Sequence, residues 1–204
     1  MQVTGQADRP PAVKPSAVRP SAMKPGQDLV IAGYIGLRGT SLAAAAREAE
    51  LLKHFTPQYV KRCQDLSEVF RLPEEAFFRK TGATEYKSLS GGGVMNALWQ
   101  LFSEYKLGFE IELRDIPILQ ETVEVCEIFD LNPYRLDSAG CVLLSAENGG
   151  DLVRDLRNSD VHGAVIGKVK AGIKRQILNG EIISYLDRPK PDELYKIQLT
   201  GGKL

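Results

Sequence analysis

Short apolar runs alternate with amphipathic stretches through residues 28–157, and the last part of the chain then has three strand-like runs with no helix between them. LVIAGY and GCVLLSA have the length and apolar content of buried strands, and LGFEIELRDIPI alternates apolar and polar residues. HGAVIGKV, GIKRQIL and EIISYL follow one another after residue 161. This order favours an α/β (α+β) fold with a mixed β-sheet, helices packed on one side and a closing β-meander.

The helices are predicted from their start signals. Thr40 or Ser41 is expected to cap a first helix, and Thr56 followed by Pro57 caps a second, because proline suits the first helical position. Three glycines in SLSGGG lead directly into VMNALWQLFSEY, which is amphipathic. Leu178-Asn179-Gly180-Glu181 has the sequence of a two-residue hairpin turn near the end of the chain.

Charge and composition exclude several classes of protein. The chain has 204 residues, and its 26 basic and 26 acidic residues give a formal net charge of zero. Because no long run of Lys or Arg is present, nucleic acid is not an expected partner. No stretch approaches the roughly 18 apolar residues of a membrane span, so no membrane contact and a cytoplasmic location are expected. The three cysteines are widely separated, and no metal site is predicted.

The first residues differ in composition from the rest. Prolines recur through MQVTGQADRPPAVKPSAVRPSAMKPGQ among Ala, Ser, Lys and Arg, with almost no large apolar residue. Such a segment buries too little apolar surface to offset the entropy of ordering. The sequence therefore predicts a flexible tail over residues 1–24 and one domain over residues 25–204.

The SGGG turn is a candidate anion site. Ser88, Ser90, Gly91, Gly92 and Gly93 precede a helix whose first N–H groups and dipole favour negative charge. The other interpretation is that the glycines only allow close packing of the helix. The turn matches neither GxxxxGK[ST] nor GxGxxG, so it is not a phosphate loop or a dinucleotide turn of those kinds.

Further candidates lie in two other loops. Arg38, Gly39 and Thr40 form a second glycine-rich helix entrance, where the guanidinium is suited to meet a phosphate, although the sequence favours a plain strand-to-helix connection for these residues. Ser138 precedes the strand in GCVLLSA, at a position where ligand contacts are common, and it also fits an ordinary turn. No residue is identified as catalytic.

The order of these motifs resembles the C-terminal domain of the aminoimidazole ribonucleotide (AIR) synthase-related superfamily, which is PurM-like. The resemblance rests on the glycine-started helix, the stretch from Gly108 to Pro117, Leu131-Asn132-Pro133 and Ser138-Ala139-Gly140, and it covers about residues 24–190. The superfamily includes the hydrogenase-maturation carbamoyl dehydratase, selenophosphate synthetase and thiamine-monophosphate kinase. Among these members, the sequence resembles the hydrogenase-maturation type in particular.

The resemblance implies an ATP-dependent family in which an N-terminal domain binds magnesium and the ATP phosphates. In this sequence the proline-rich tail stands at that place, and Glu85-Tyr86-Lys87 replaces the family's usual His-Asp or Arg-Asp pair. The expectation is a stand-alone, non-catalytic binding or assembly module that forms a homo-oligomer or binds a partner protein carrying the ATP-binding domain.

Two alternatives remain open. One is half of a split enzyme that activates an amide or carbonyl oxygen by phosphorylation, with ATP and Mg held by the partner's domain. The other is a phosphate or nucleotide sensor.

Overall fold

The computed structural model describes residues 23–70 and 72–199. The tail predicted for residues 1–24 lies outside these residues except for Met23 and Lys24, and the Met23 side chain is 2 % exposed in the main core cluster. The strands are Asp28–Ala32 (β1), Glu85–Ser88 (β2), Gly108–Glu112 (β3), Val142–Ala146 (β4), Gly163–Lys170 (β5), Arg175–Asn179 (β6) and Ile182–Tyr185 (β7). The α-helices are Leu37–Ala46 (α1), Glu48–Leu51 (α2), Pro57–Val69 (α3), Glu75–Lys80 (α4), Gly93–Tyr105 (α5), Gln120–Phe129 (α6), Gly149–Arg157 (α7) and Leu194–Leu199 (α8).

The strands form one sheet in the order β2-β4-β1-β5-β3-β6-β7. Strands β3 and β6 pair in parallel, whereas the other neighbouring strands pair antiparallel. The mixed α/β sheet predicted from the sequence is therefore confirmed.

The connection of the last three strands differs from a meander. Strand β3 lies between β5 and β6, so only β6 and β7 form a hairpin. The pairing of Asn179 with Ile182 places Gly180 and Glu181 in the loop, one residue later than the Asn-Gly signal predicts. Gly180 has φ +62°, a backbone conformation that glycine adopts without steric cost.

Helices cover both faces of the sheet rather than one. Along β1, Leu29 and Ile31 belong to the core cluster that contains α5, whereas Val30 and Ala32 belong to the cluster that contains residues of α4 and α7. Successive side chains of a strand point to opposite faces, so a continuously apolar strand such as DLVIA indicates burial on both. A third cluster joins α1, α3 and α6 beside the sheet.

Two helix starts test the capping predictions. The Thr56 side chain accepts a hydrogen bond from the Tyr59 N–H at 3.3 Å, and Pro57 is the first helical residue, as predicted. The prediction of Thr40 or Ser41 as a cap is wrong, because α1 already begins at Leu37, after Gly36 in the left-handed region at φ 73°. No helix in the described part of the chain is long and apolar enough to cross a membrane.

Candidate functional site

The loop of residues 136–140 joins the starts of two helices. The Gly39 N–H donates to the Asp137 carbonyl at 2.9 Å, which fixes the loop to the start of α1. The Ser138 N–H donates to the Ser90 carbonyl at 3.3 Å, which fixes the same loop to the turn before α5. The structure therefore brings together the three segments that contain the predicted site residues. These segments, residues 36–40, 88–93 and 136–140, are called the glycine junction below.

The SGGG turn is occupied by a carboxylate of the chain itself. The backbone N–H of Gly92 donates to Oδ2 of Asp192 at 2.6 Å, and the Leu194 N–H donates to the other carboxylate oxygen at 2.8 Å. Gly92 lies in the left-handed region at φ 81° and immediately precedes α5. A helix start favours negative charge, so the Asp192 carboxylate lies where the start of α5 interacts with it favourably.

The environment of Asp192 disfavours its charged form. Burial raises the pKa of this carboxyl above its usual value, and the negative charges of Asp137 and Glu193 raise it further. The hydrogen bonds from Gly92 and Leu194 act in the opposite direction without reversing the shift. The turn therefore binds a carboxyl group that ionises less readily than an exposed aspartate.

The three glycines of the turn have different roles. A Cβ atom on Gly93 would lie 2.5 Å from the carbonyl oxygen of Tyr134 and 2.8 Å from that of Leu136, so this position requires close packing. A Cβ atom on Gly91 would meet only the Asp192 carboxylate, at 3.7 Å. Gly93 thus requires close packing, whereas the Gly92 N–H donates to the Asp192 carboxylate, and binding of a separate anion by the turn stays a prediction.

The two serines of the turn have different contacts. Ser88 ends β2, and its exposed hydroxyl lies 3.2 Å from that of Tyr86. Ser90 contributes its backbone carbonyl, which accepts from the N–H groups of Gly93 and Ser138.

Arg38 pairs with an acid of the junction. Its Nη1 lies 3.0 Å from Oδ2 of Asp137, and the two side chains are 56 % and 9 % exposed. The other Asp137 oxygen accepts from the Ala139 N–H at 2.9 Å. The guanidinium therefore lies at the surface of the junction, and its charge is already paired with that of Asp137.

Gly39 and Thr40 face the interior. A Cβ atom on Gly39 would lie 2.3 Å from Cγ of Leu136, so the loop packs directly on the backbone of α1. The buried Thr40 hydroxyl donates to the Gly36 carbonyl at 2.8 Å and lies 3.0 Å from the Thr122 hydroxyl. These two residues support the plain strand-to-helix connection.

Ser138 is a structural link within the junction. Its side chain is 0 % exposed. Its hydroxyl accepts from the Gly36 N–H and donates to the Leu136 carbonyl, both at 2.9 Å. The hydroxyl thus satisfies two buried backbone groups.

Asp192 is the site residue that sequence analysis missed. Pro191 and Asp192 precede α8 in a pattern typical of a helix start, and the bond from Leu194 fits that local role. No local pattern connects Asp192 with a turn 100 residues earlier. Among residues 23–70 and 72–199, no group of three or more His, Cys, Asp or Glu side chains is arranged to hold a metal ion.

Most of the chain matches the model of a known protein family. The family model of the AIR synthase related protein, C-terminal domain, matches residues 24–177. The chain belongs to this family. A search of curated proteins found no significant match.

Solved structures show the same fold at low sequence identity. HypE in complex with ATP has a TM-score of 0.62 and 15 % identity, covering 87 % of this chain and 54 % of that chain. A chain of a HypE–HypF complex has a TM-score of 0.59 and 19 % identity, covering 83 % of this chain and 55 % of that chain. Thiamine-monophosphate kinase from Stenotrophomonas maltophilia has a TM-score of 0.59 and 13 % identity, covering 78 % and 52 %. The chain spans about half the length of these proteins.

Proposed function

We propose that this AIR synthase-related C-terminal domain acts as a non-catalytic binding or assembly module. The observation that supports the proposal most directly is the hydrogen bond between Gly92 and Asp192, which fills the anion-binding turn with a group of the chain itself.

Two further donors of the junction are also engaged. The Gly36 N–H is bonded to the Ser138 hydroxyl, and the Arg38 guanidinium is paired with Asp137. A phosphate that approached Gly92 would have to displace Asp192 and would meet the negative charge of Asp137. The junction therefore functions as an internal connection between α1, α5 and the segment before α8.

The proposed partner is a protein, either a second copy of this chain or a chain carrying an ATP-binding domain. Similarity to a chain of the HypE–HypF complex supports a protein partner. Strand β7 gives further support, because it is the last strand of the sheet among the described residues and exposes Ile182 by 66 % and Ile183 by 58 %. Apolar edge strands favour pairing with another chain.

Two measurements on one preparation test this proposal. Light scattering gives the mass of the purified chain, and isothermal titration gives its affinity for Mg-ATP, ADP and phosphate. The expected result is no nucleotide binding in the micromolar range, with an assembly larger than one chain where the partner is a second copy and a single chain where the partner is a separate protein. Micromolar Mg-ATP binding by the unmodified chain contradicts the proposal.

A second candidate function is half of an ATP-dependent enzyme, completed by an ATP-binding domain with Mg. Similarity to HypE in complex with ATP supports it, as does the fit of the Asp192 carboxylate at Gly92, where a phosphate oxygen would find the same donor. The reaction would phosphorylate an amide or carbonyl oxygen and make it a leaving group. The variant Asp192→Ala discriminates between the candidates, since this function predicts that opening the turn creates saturable phosphate or ATP binding, whereas the binding module predicts none.

A further inference from the structure

A groove of about 540 Å³ lies between α5 and the β6–β7 hairpin. Its apolar lining consists of Trp99, Phe102, Ile173, Tyr185 and Leu186. This surface is called the Trp99 groove below. No residue of the glycine junction lines it, so the two sites are separate.

The groove has a fixed floor and an exposed apolar rim. Phe102 is 0 % exposed and Leu186 is 8 % exposed, so both are held in the main core cluster. Ile173 is 77 % exposed and Tyr185 is 59 % exposed. A ligand with an apolar body would remove these two side chains from water without any rearrangement of the core.

Three cations surround this apolar surface: Lys106, Lys174 and Arg175. The Arg175 guanidinium lies 4.3 Å from the centre of the Trp99 ring, and its Nη2 donates to the Ser103 hydroxyl at 2.9 Å. Stacking on an aromatic ring holds a guanidinium in place while leaving its other donors free for an anion.

Among the described residues, these three side chains lack the ion pairs that neighbouring lysines of the sheet make. Within the described ranges, no carboxylate lies at ion-pair distance from any of the three cations. By contrast, Lys168 and Lys170 on the neighbouring strand β5 pair with Asp28 and Glu110. In a chain of zero formal net charge, three unpaired cations around one apolar groove favour a negatively charged ligand.

We propose that the Trp99 groove binds a small organic anion, with a flat apolar or aromatic body and one carboxylate, sulfonate or phosphate group. The body would lie against Trp99 and Ile173, and the anionic group would accept hydrogen bonds from Arg175. A volume near 540 Å³ falls within the range of about 300–1,000 Å³ that is common for small-molecule sites. This inference goes beyond the proposed function, because it concerns a different surface and ligand.

Anilinonaphthalene sulfonate and its neutral analogue N-phenyl-1-naphthylamine test the proposal, since they share their rings and differ in the sulfonate. Trp99 is the single tryptophan of the chain, so its emission reports directly on the groove. The expected result is saturable quenching of Trp99 by the sulfonate, with the neutral compound at least about tenfold weaker. Equal affinities, or quenching that does not saturate, overturn the proposal.

Substitutions locate the binding. Arg175→Gln and Lys174→Gln are each expected to weaken sulfonate binding several-fold and to leave the neutral compound unaffected, whereas Lys53→Gln, at an exposed lysine outside the groove, changes neither. Ile173→Ser is expected to weaken the binding of both compounds. The fold should tolerate this substitution because the Ile173 side chain is exposed. Unchanged binding in Arg175→Gln and Ile173→Ser overturns the assignment. Weaker binding at higher chain concentration also overturns it, because a second copy would then cover the groove.

Discussion

The Asp192 carboxylate accepts a hydrogen bond from the backbone N–H of Gly92 at 2.6 Å, although the two residues are 100 positions apart in the chain. This contact ties the segment before α8 to the start of α5 and satisfies one of the free N–H groups of that helix. The same contact explains why a turn with the composition of an anion site serves within this chain as an internal connection.

The glycines of the turn differ in their tolerance of a side chain. Gly93→Ala is expected to lower the free energy of unfolding by about 2 kcal/mol or more, because the residue has φ +63° and its Cβ would lie 2.5 Å from the Tyr134 carbonyl oxygen. The matched control, Gly91→Ala, is expected to change it by less than about 0.5 kcal/mol. Urea unfolding measures both, and equal effects would refute the division of roles between the two glycines.

The buried hydroxyl of Ser138 is expected to stabilise the junction. Ser138→Ala leaves the Gly36 N–H and the Leu136 carbonyl without their partner, so the free energy of unfolding falls by about 1–3 kcal/mol. Ser88→Ala provides the control, since that hydroxyl is exposed and its loss changes stability by less than about 0.5 kcal/mol. Thermal unfolding of both variants gives the comparison. A Ser138→Ala protein as stable as the control would contradict the role assigned to the hydroxyl.

The raised pKa of Asp192 predicts a pH-dependent effect of Asp192→Asn. A carboxyl whose pKa is higher in the folded state contributes stability that is present below its ordinary value of 3.8 and is lost as the pH rises through the folded-state pKa. The amide cannot ionise and can still accept the bond from Gly92. The Tm of Asp192→Asn relative to the unmodified chain is therefore expected to increase as the pH rises above 3.8. A relative Tm that falls over this range would show that the pKa of Asp192 is lowered in the folded state rather than raised.

Asp28 is expected to behave in the opposite sense. Burial alone raises the pKa of its carboxyl, but the hydrogen bonds from Lys168 and from the Gly149 N–H outweigh burial and hold the pKa below 3.8. Its contribution to stability is present above 3.8 and is lost as the pH falls through the folded-state pKa. Asp28→Asn should therefore be less stable than the unmodified chain at neutral pH, and the difference should disappear in acid. A difference in Tm that is independent of pH would show that ionisation of Asp28 is not its source.

Local signals in the sequence predicted most of the elements correctly. The Thr56-Pro57 cap was predicted because capping depends on neighbouring residues. The buried strand at residues 28–32 was predicted because burial on both faces leaves no polar alternation. The prediction of helices on one side of the sheet did not take into account that a strand buried on both faces is covered by helices on both sides.

Features that depend on distant contacts were not predicted. The position of β3 between β5 and β6 depends on strand pairing across more than 50 residues, which no local pattern records. The hydrogen bond between Gly92 and Asp192 was not predicted either, because any carboxylate in the chain could have bound at that turn. The start of α1 was misplaced because Gly36, rather than a hydroxyl side chain, precedes the helix.

The most direct test of the account follows the amide resonance of Gly92 in ¹⁵N-labelled protein during a titration with Mg-ATP. This resonance is expected to stay in place at millimolar nucleotide, because the Asp192 carboxylate already accepts a hydrogen bond from the Gly92 N–H. It is expected to move only when acid protonates that carboxyl. A saturable shift of Gly92 at micromolar Mg-ATP would show that the turn exchanges its internal carboxylate for a nucleotide, and would contradict the proposed binding module.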